Sequence, residues 1–128
     1  MAMIVLDGIS LPADLLWSDE WTSASVAQSV RRTLDGSLVV FYGGLRTGLP
    51  ITLETQPDAG WLTRVQVESL ARLAASPGGI YTLALRGQAF QVMFRHHEPP
   101  AFEARPLVPL AQPQPGDFHL ATIKLMTV

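Results

Sequence analysis

The sequence predicts an α+β domain that is mainly β: an antiparallel β-sandwich or split barrel with one flanking α-helix at about Thr63–Ala75. Three observations lead there. A single amphipathic stretch, 63–75, carries a cap before it and a proline-glycine stop behind it. Two hairpin signals, Asp35-Gly36 and Gly87-Gln88, each join two strand-like arms. The remaining apolar runs are short, punctuated by glycine and proline, and read as further strands. At 128 residues the chain suits one domain, 1–128, large enough to bury a core.

Taken in order, Met3 to Leu6 is a short apolar run stopped by Asp7-Gly8, and so a small strand. Leu11-Pro12 opens an irregular segment in which Leu15, Leu16, Trp17 and Trp21 stand among Asp14, Asp19 and Glu20. The tryptophans are expected to anchor this segment on the core while the acids stay solvated. Tryptophans beside paired carboxylates are also the residue set of a sugar site, since aromatic faces stack on pyranose rings and paired acids hydrolyse glycosides.

Ser25 to Thr33 and Leu38 to Tyr42 flank Asp35-Gly36, the strongest short-range hairpin signal in the chain. Val26, Val30 and Leu34 mark one face, interrupted by Arg31 and Arg32. With no aromatic or basic companions, that arginine pair reads as exposed or as an intersubunit ion pair rather than a phosphate contact. Gly43, Gly44, Leu45, Arg46, Thr47 and Gly48 form a glycine-rich loop. It lacks the Gly-Lys-Ser/Thr of a phosphate-binding loop and the helix that would follow, because Leu49 to Leu53 reads as a strand. An arm that orders against a neighbour suits it, with a plain exposed loop as the alternative.

The helix is announced by Thr63-Arg-Val-Gln66, a capping box, with Leu62 and Val67 placed as a hydrophobic staple. Val67, Leu70, Ala71 and Ala74 give one apolar stripe, and Glu68 and Arg72 an i,i+4 pair on the wet side. Ser76-Pro77-Gly78-Gly79 ends it. Tyr81, Leu83 and Leu85 then alternate with polar or small residues, as do Phe90, Val92 and Phe94 beyond Gly87-Gln88. A II′ turn at Gly87 would pair Leu85 with Phe90, Leu83 with Val92 and Tyr81 with Phe94, whereas a register shifted at the turn would set Leu85 opposite Gln88 and is expected to be poorer.

Arg95-His96-His97-Glu98 holds the residue types of a metal site, but neighbours on a strand face opposite ways and do not share one ion. No metal or cofactor is expected. Six of the ten prolines lie between Pro99 and Gly116, which suits an edge strand around Phe102 to Leu107 and a long turn. Phe118 to Val128 closes as a strand with Ile123 and Leu125 on one face, tied into the sheet.

Hydrophobic residues make up 48% of the chain and charged ones 16%, against about 25% charged in a usual soluble domain. A surface so short of charge is expected to be covered in part by other subunits. A net charge of −2 gives no electrostatic ground for nucleic-acid or anionic-membrane binding. The absence of cysteine excludes disulfides and thiol nucleophiles and suits a reducing cytosol. No charged-then-apolar leader is seen, and the run Leu38 to Tyr42 is too short to span a bilayer.

The element order resembles the tail-tube fold of bacteriophage tube, distal tail and small tail-tip proteins. The Asp35-Gly36 hairpin, the glycine-containing loop, the strand Ile51 to Glu54, the helix Thr63 to Ala75, the Gly-Gly exit into Tyr81 to Phe94, and the closing Asp117 to Val128 carry that resemblance. It implies a structural, non-enzymatic role in the virion tail of a siphophage or prophage relative, made in the host bacterial cytoplasm. The implied form is a homohexameric distal tail ring that joins the tail tube protein to the baseplate or tail-tip hub. Gly43, Gly44, Leu45, Arg46 and Thr47, with Arg31 and Arg32, would then face a neighbouring subunit, the helix outside and the sheet toward the lumen. The chain carries no second, carbohydrate-binding-like domain of the larger distal tail proteins, so the resemblance implies no receptor binding.

Two other readings stand beside it. A small ligand- or protein-binding module would use Trp17, Trp21 and Tyr81 as an apolar lining. A hydrolase would need Asp14, Asp19 or Glu20 brought beside His96, His97 or His119.

Overall fold

The computed structural model describes residues 4–21, 26–44, 48–109, 111–112 and 114–128. In chain order these form β1 (Ile4–Leu6), β2 (Ile9–Leu11), β3 (Leu16–Trp17), β4 (Val26–Arg32), β5 (Leu38–Gly44), β6 (Pro50–Glu54), β7 (Leu62–Thr63), α1 (Arg64–Ala74), β8 (Tyr81–Leu85), β9 (Gln88–Phe94), β10 (Phe102–Pro106) and β11 (Phe118–Thr127). The fold is α+β and mainly β, antiparallel throughout its described pairs, with one flanking helix. Its main sheet follows the path β2-β1-β8-β9-β11-β6-β3, with β7 and β10 also joined to β11.

β11 organises that sheet. Its residues 119–123 pair with β10 and 125–127 with β9, while 118–119 pair with β7 and 122–126 with β6. Two strands therefore follow one another along each of its edges, the arrangement of a sandwich or split barrel whose halves share one long strand. His119, Ala121, Ile123 and Leu125 are buried in strict alternation, so a period of two writes one inward face. Ile4 and Leu6, Leu11, Ile51 and Leu53, Leu62, Leu83 and Leu85, and Val92 and Phe94 add to the core from the other strands.

The helix closes one flank. Thr63 and Gln66 form the capping box: the Gln66 N–H donates to Thr63 Oγ1 at 3.4 Å and the Thr63 N–H to Gln66 Oε1 at 2.9 Å. Gln66 Nε2 also donates to the Ser10 carbonyl at 2.7 Å, so the capping residue docks the helix on β2. Leu70 is fully buried, which contributes about 1.5–3 kcal/mol, and Val67, Leu73 and Ala74 flank it. Ala71 is exposed and Leu73 takes the expected place, because residue 71 lies about 100° round the helix from Leu70. Glu68 meets Arg64 at 3.3 Å rather than Arg72. At the other end the Tyr81 hydroxyl donates to the Leu73 carbonyl at 2.9 Å, satisfying a last-turn acceptor from the first residue of β8.

The β8–β9 hairpin differs in register from the sequence expectation. Leu85 faces Gln88, Leu83 faces Phe90 and Tyr81 faces Val92. Arg86 (φ 51°) and Gly87 (φ 79°) both occupy the left-handed region, so they are the two central residues of a type I′ turn, whose twist suits the strands. The apolar face survives, since the slip is two residues on one strand and preserves alternation. Tyr81 and Phe94 still meet edge to face, 6.1 Å between ring centres.

Candidate functional site

β4 and β5 stand apart from this body. They form a separate two-stranded sheet, paired from Val26↔Gly44 to Arg32↔Leu38, and every residue in both strands is exposed. The β-branched and aromatic run Val39-Val40-Phe41-Tyr42 explains why the segment is a strand at all. At the tip the Gly36 N–H donates to the Thr33 carbonyl at 3.0 Å, which makes Leu34 and Asp35 the central residues, and Gly36 follows at φ 87°. The turn is thus one residue earlier than Asp35-Gly36 alone implies, and it leaves Leu34 fully exposed.

Pairs directly opposite share a face. One face of this arm carries Val26, Val30, Val40, Leu38 and Tyr42, the other Val39 and Phe41. Tyr42 is 79% exposed and Phe41 57%, so large apolar groups meet water on both sides. Asp35 Oδ1 accepts from the Thr33 hydroxyl and from the Ser37 N–H at 3.0 Å, and these donors lower its pKa to about 2.

The body holds the roots of the arm firmly. On the way out the Ser18 N–H donates to the Thr52 carbonyl at 3.0 Å, and the Asp19 carboxylate accepts from the Thr52 N–H and hydroxyl, both at 2.8 Å. On the return the Gly48 N–H donates to the Thr127 carbonyl at 2.6 Å, and the Leu49 N–H to Thr127 Oγ1 at 3.1 Å. Both roots sit on adjacent strands, β6 and β11.

Among the interface residues expected from sequence, Arg31 and Arg32 lie on β4 and are exposed, with Arg32 Nη1 donating to the Gly36 carbonyl at 3.1 Å. Gly43 and Gly44 belong to β5, so the strand runs further than Tyr42. Leu45, Arg46 and Thr47 lie outside the described residues.

The groups of the other two readings are dispersed. Trp17 packs edge-on to Phe90, with the Arg86 guanidinium 5.6 Å from its ring centre, while Tyr81 turns to the helix end. Trp21, expected to anchor on the core, is 89% exposed at the foot of the arm. Two of the three acids are engaged rather than merely solvated: Glu20 pairs with Arg86, and Asp19 binds Thr52 and lies 3.8 Å from Arg95, while Asp14 is exposed as expected. His97 Nε2 is 3.8 Å from Glu98, and His119 Nδ1 is 3.2 Å from the Asp117 carbonyl. None of these contacts joins Asp14, Asp19 or Glu20 to a histidine. Among the described residues no group of three His, Asp or Glu is placed to hold a metal ion.

Arg95 escaped the sequence reading. Its side chain is buried, and it donates to Thr52 Oγ1 and, at 3.2 Å, to Glu98. The one signal was an arginine directly after an alternating apolar strand. Among the described residues one cavity of about 470 Å³ opens beside Thr55, Glu103 and Arg105, and another of about 510 Å³ beside Met93, Met126 and the helix end. Comparison with family models, with curated proteins and with solved structures returned no significant match.

Proposed function

We propose that this chain is a ring-forming structural protein of a phage or phage-like tail, placed as the distal ring that joins the tail tube to the baseplate or tail-tip hub. The β4–β5 arm carries the reading. A lone two-stranded ribbon is marginal in water, and this one exposes apolar side chains on both faces. Covering it with other subunits removes that apolar surface from water and gives the strands the packing they lack. The low charge content of the whole chain supports the same conclusion. The resemblance of the element order to the tail-tube fold supports a closed homo-oligomer of about six copies, with the tube protein on one side and the hub on the other. A tube or tail-terminator ring would use the same arm in the same way.

The test is the absolute mass by light scattering over a concentration series, with negative-stain images, for the full chain and for a variant in which a short Gly-Ser turn replaces 26–44. The full chain is expected to form closed species of about six times its 13.9 kDa mass. The variant is expected to stay monomeric with its thermal transition unchanged. A full chain that remains monomeric throughout, or a variant that keeps the ring, overturns the proposal.

A further inference from the structure

A polar trough crosses the face of the main sheet that is turned away from the core. Leu120 and Thr122 of β11 form its floor, Glu103 and Arg105 of β10 one wall, and Thr55 and Pro57 the other, around a space of about 470 Å³. Glu103 lies opposite Thr122 and Arg105 opposite Leu120, so these four side chains share one face. Both charged residues are exposed, and among the described residues neither side chain meets an opposite charge or a hydrogen-bond partner. One step along the same face of β11, Phe118 is 47% exposed, with its ring centre 5.6 Å from that of Trp61. The Trp61 indole N–H donates at 3.1 Å to the carbonyl of Gln56, which stands between the two wall residues, so this aromatic pair adjoins the trough.

We infer that this trough binds a neutral saccharide, Glu103 accepting from its hydroxyls and Arg105 donating to them while the aromatic pair packs on an apolar face of a sugar ring. The volume lies within the roughly 300–1,000 Å³ of small-ligand sites. Charge selects against a polyanion: one carboxylate and one guanidinium leave the lining neutral, so a phosphate loses beside Glu103 what it gains from Arg105. An extended peptide is recognised through free backbone groups at a sheet edge, and the floor is not an edge. Residues 119–123 pair with β10, and on the other side the Ala121 N–H donates to Thr55 Oγ1 at 2.8 Å while the Ala121 carbonyl accepts from the Thr55 N–H at 3.0 Å. A strand added beyond β10 would lie outside the trough, so recognition inside it is left to side chains. A carboxylate offers only acceptors and a guanidinium only donors. Two residues apart on β10, they stand about 6.7 Å from each other along the strand, so the ligand must present donors and acceptors over that span. Each hydroxyl does both, and a sugar ring carries several. Its C–H face is the part that packs on an aromatic ring, as Phe118 and Trp61 offer. This site is separate from the Trp17 and Trp21 segment, where Asp19 and Glu20 are already engaged, and it does not depend on assembly.

Saturation-transfer NMR tests this on the full chain, since it detects weak binding to a protein of any size. The probes are neutral trisaccharides of glucose, galactose, mannose and N-acetylglucosamine, one sialylated trisaccharide, and unstructured tetrapeptides. Transfer to at least one neutral trisaccharide is expected, with a Kd of about 1 mM for so open a site, and none to the sialylated sugar or the peptides. Glu103→Ala and Arg105→Ala should each weaken that binding about tenfold and leave the thermal transition in place, because both side chains are exposed and unpaired. Glu68→Ala, an exposed acid on the helix, should bind as the parent does. Transfer to none of the neutral sugars, or transfer that both trough variants keep in full, overturns the inference. Transfer to the peptides or to the sialylated sugar in place of the neutral ones overturns it too, and assigns the trough to that class instead. Every one of these outcomes leaves the ring-forming reading where it stands.

Discussion

The guanidinium of Arg95 and the carboxylate of Asp19 lie 3.8 Å apart, with the Thr52 hydroxyl shared between them. That hydroxyl donates to Asp19 and accepts from Arg95, so one small side chain couples the segment leading into the arm to β6 and to the end of β9. Arg95 is buried and Thr52 nearly so, and a group in that position is expensive to leave without its partner.

Thr52→Val keeps the shape and removes the bridge. It should destabilise the fold by about 1–3 kcal/mol, because it strips a charged partner on each side of its hydrogen bond. Urea denaturation reads this as a lower midpoint at unchanged slope. Hydrogen exchange at Ser18 should accelerate with it.

Gly60 is buried at φ +76°, and a Cβ there would stand 3.1 Å from the Asp14 carbonyl oxygen. Gly60→Ala should therefore cost about 1–3 kcal/mol in thermal denaturation. Gly116, which has open space around it, should accept alanine within about 0.5 kcal/mol.

Asp35 gives the arm a pH dependence of its own. Its pKa is lowered from 3.8 to about 2 by the Thr33 hydroxyl and the Ser37 N–H. The stabilisation of the tip is present in full above the ordinary carboxylate range and is lost as pH falls from about 4 through about 2. The Gly36 and Ser37 amide signals should shift over that window, while the amides of β11 stay put. Asp35→Asn should abolish the shift.

Phe41 and Val30 point from opposite faces of the ribbon, and neither is covered by the body. Serine at either position should leave the monomer within about 0.5 kcal/mol of the parent, yet weaken assembly in light scattering. Weakening from one face alone would mean that neighbours cover only that face.

The elements legible in the sequence are those whose signals are local. The capping box at Thr63 and Gln66, the alternation of Phe118 to Thr127, and the two hairpins depend on residues a few positions apart. The β8–β9 register was missed because Arg86 takes a positive φ that its residue type does not advertise. Trp21 was misplaced because hydrophobicity alone cannot tell a core anchor from a side chain left outside. What makes β4 and β5 an arm is also invisible in sequence: their alternation resembles that of any sheet strand, and only the pairing of β11 with β6, β7, β9 and β10 shows that the body closes without them.

That pairing also orders the folding of the chain. β6, β7, β9 and β10 all find partners on β11, and residues 118–127 come after every one of them. The β8–β9 hairpin and the arm close through neighbours in sequence, within microseconds, whereas the main sheet waits for distant contacts that are slow to form. The arm thus samples its own pairing, marginal as a lone ribbon is, before the body that carries it has closed, and newly made chains run the hazard of meeting arm to arm while β6 and β9 still lack their central strand.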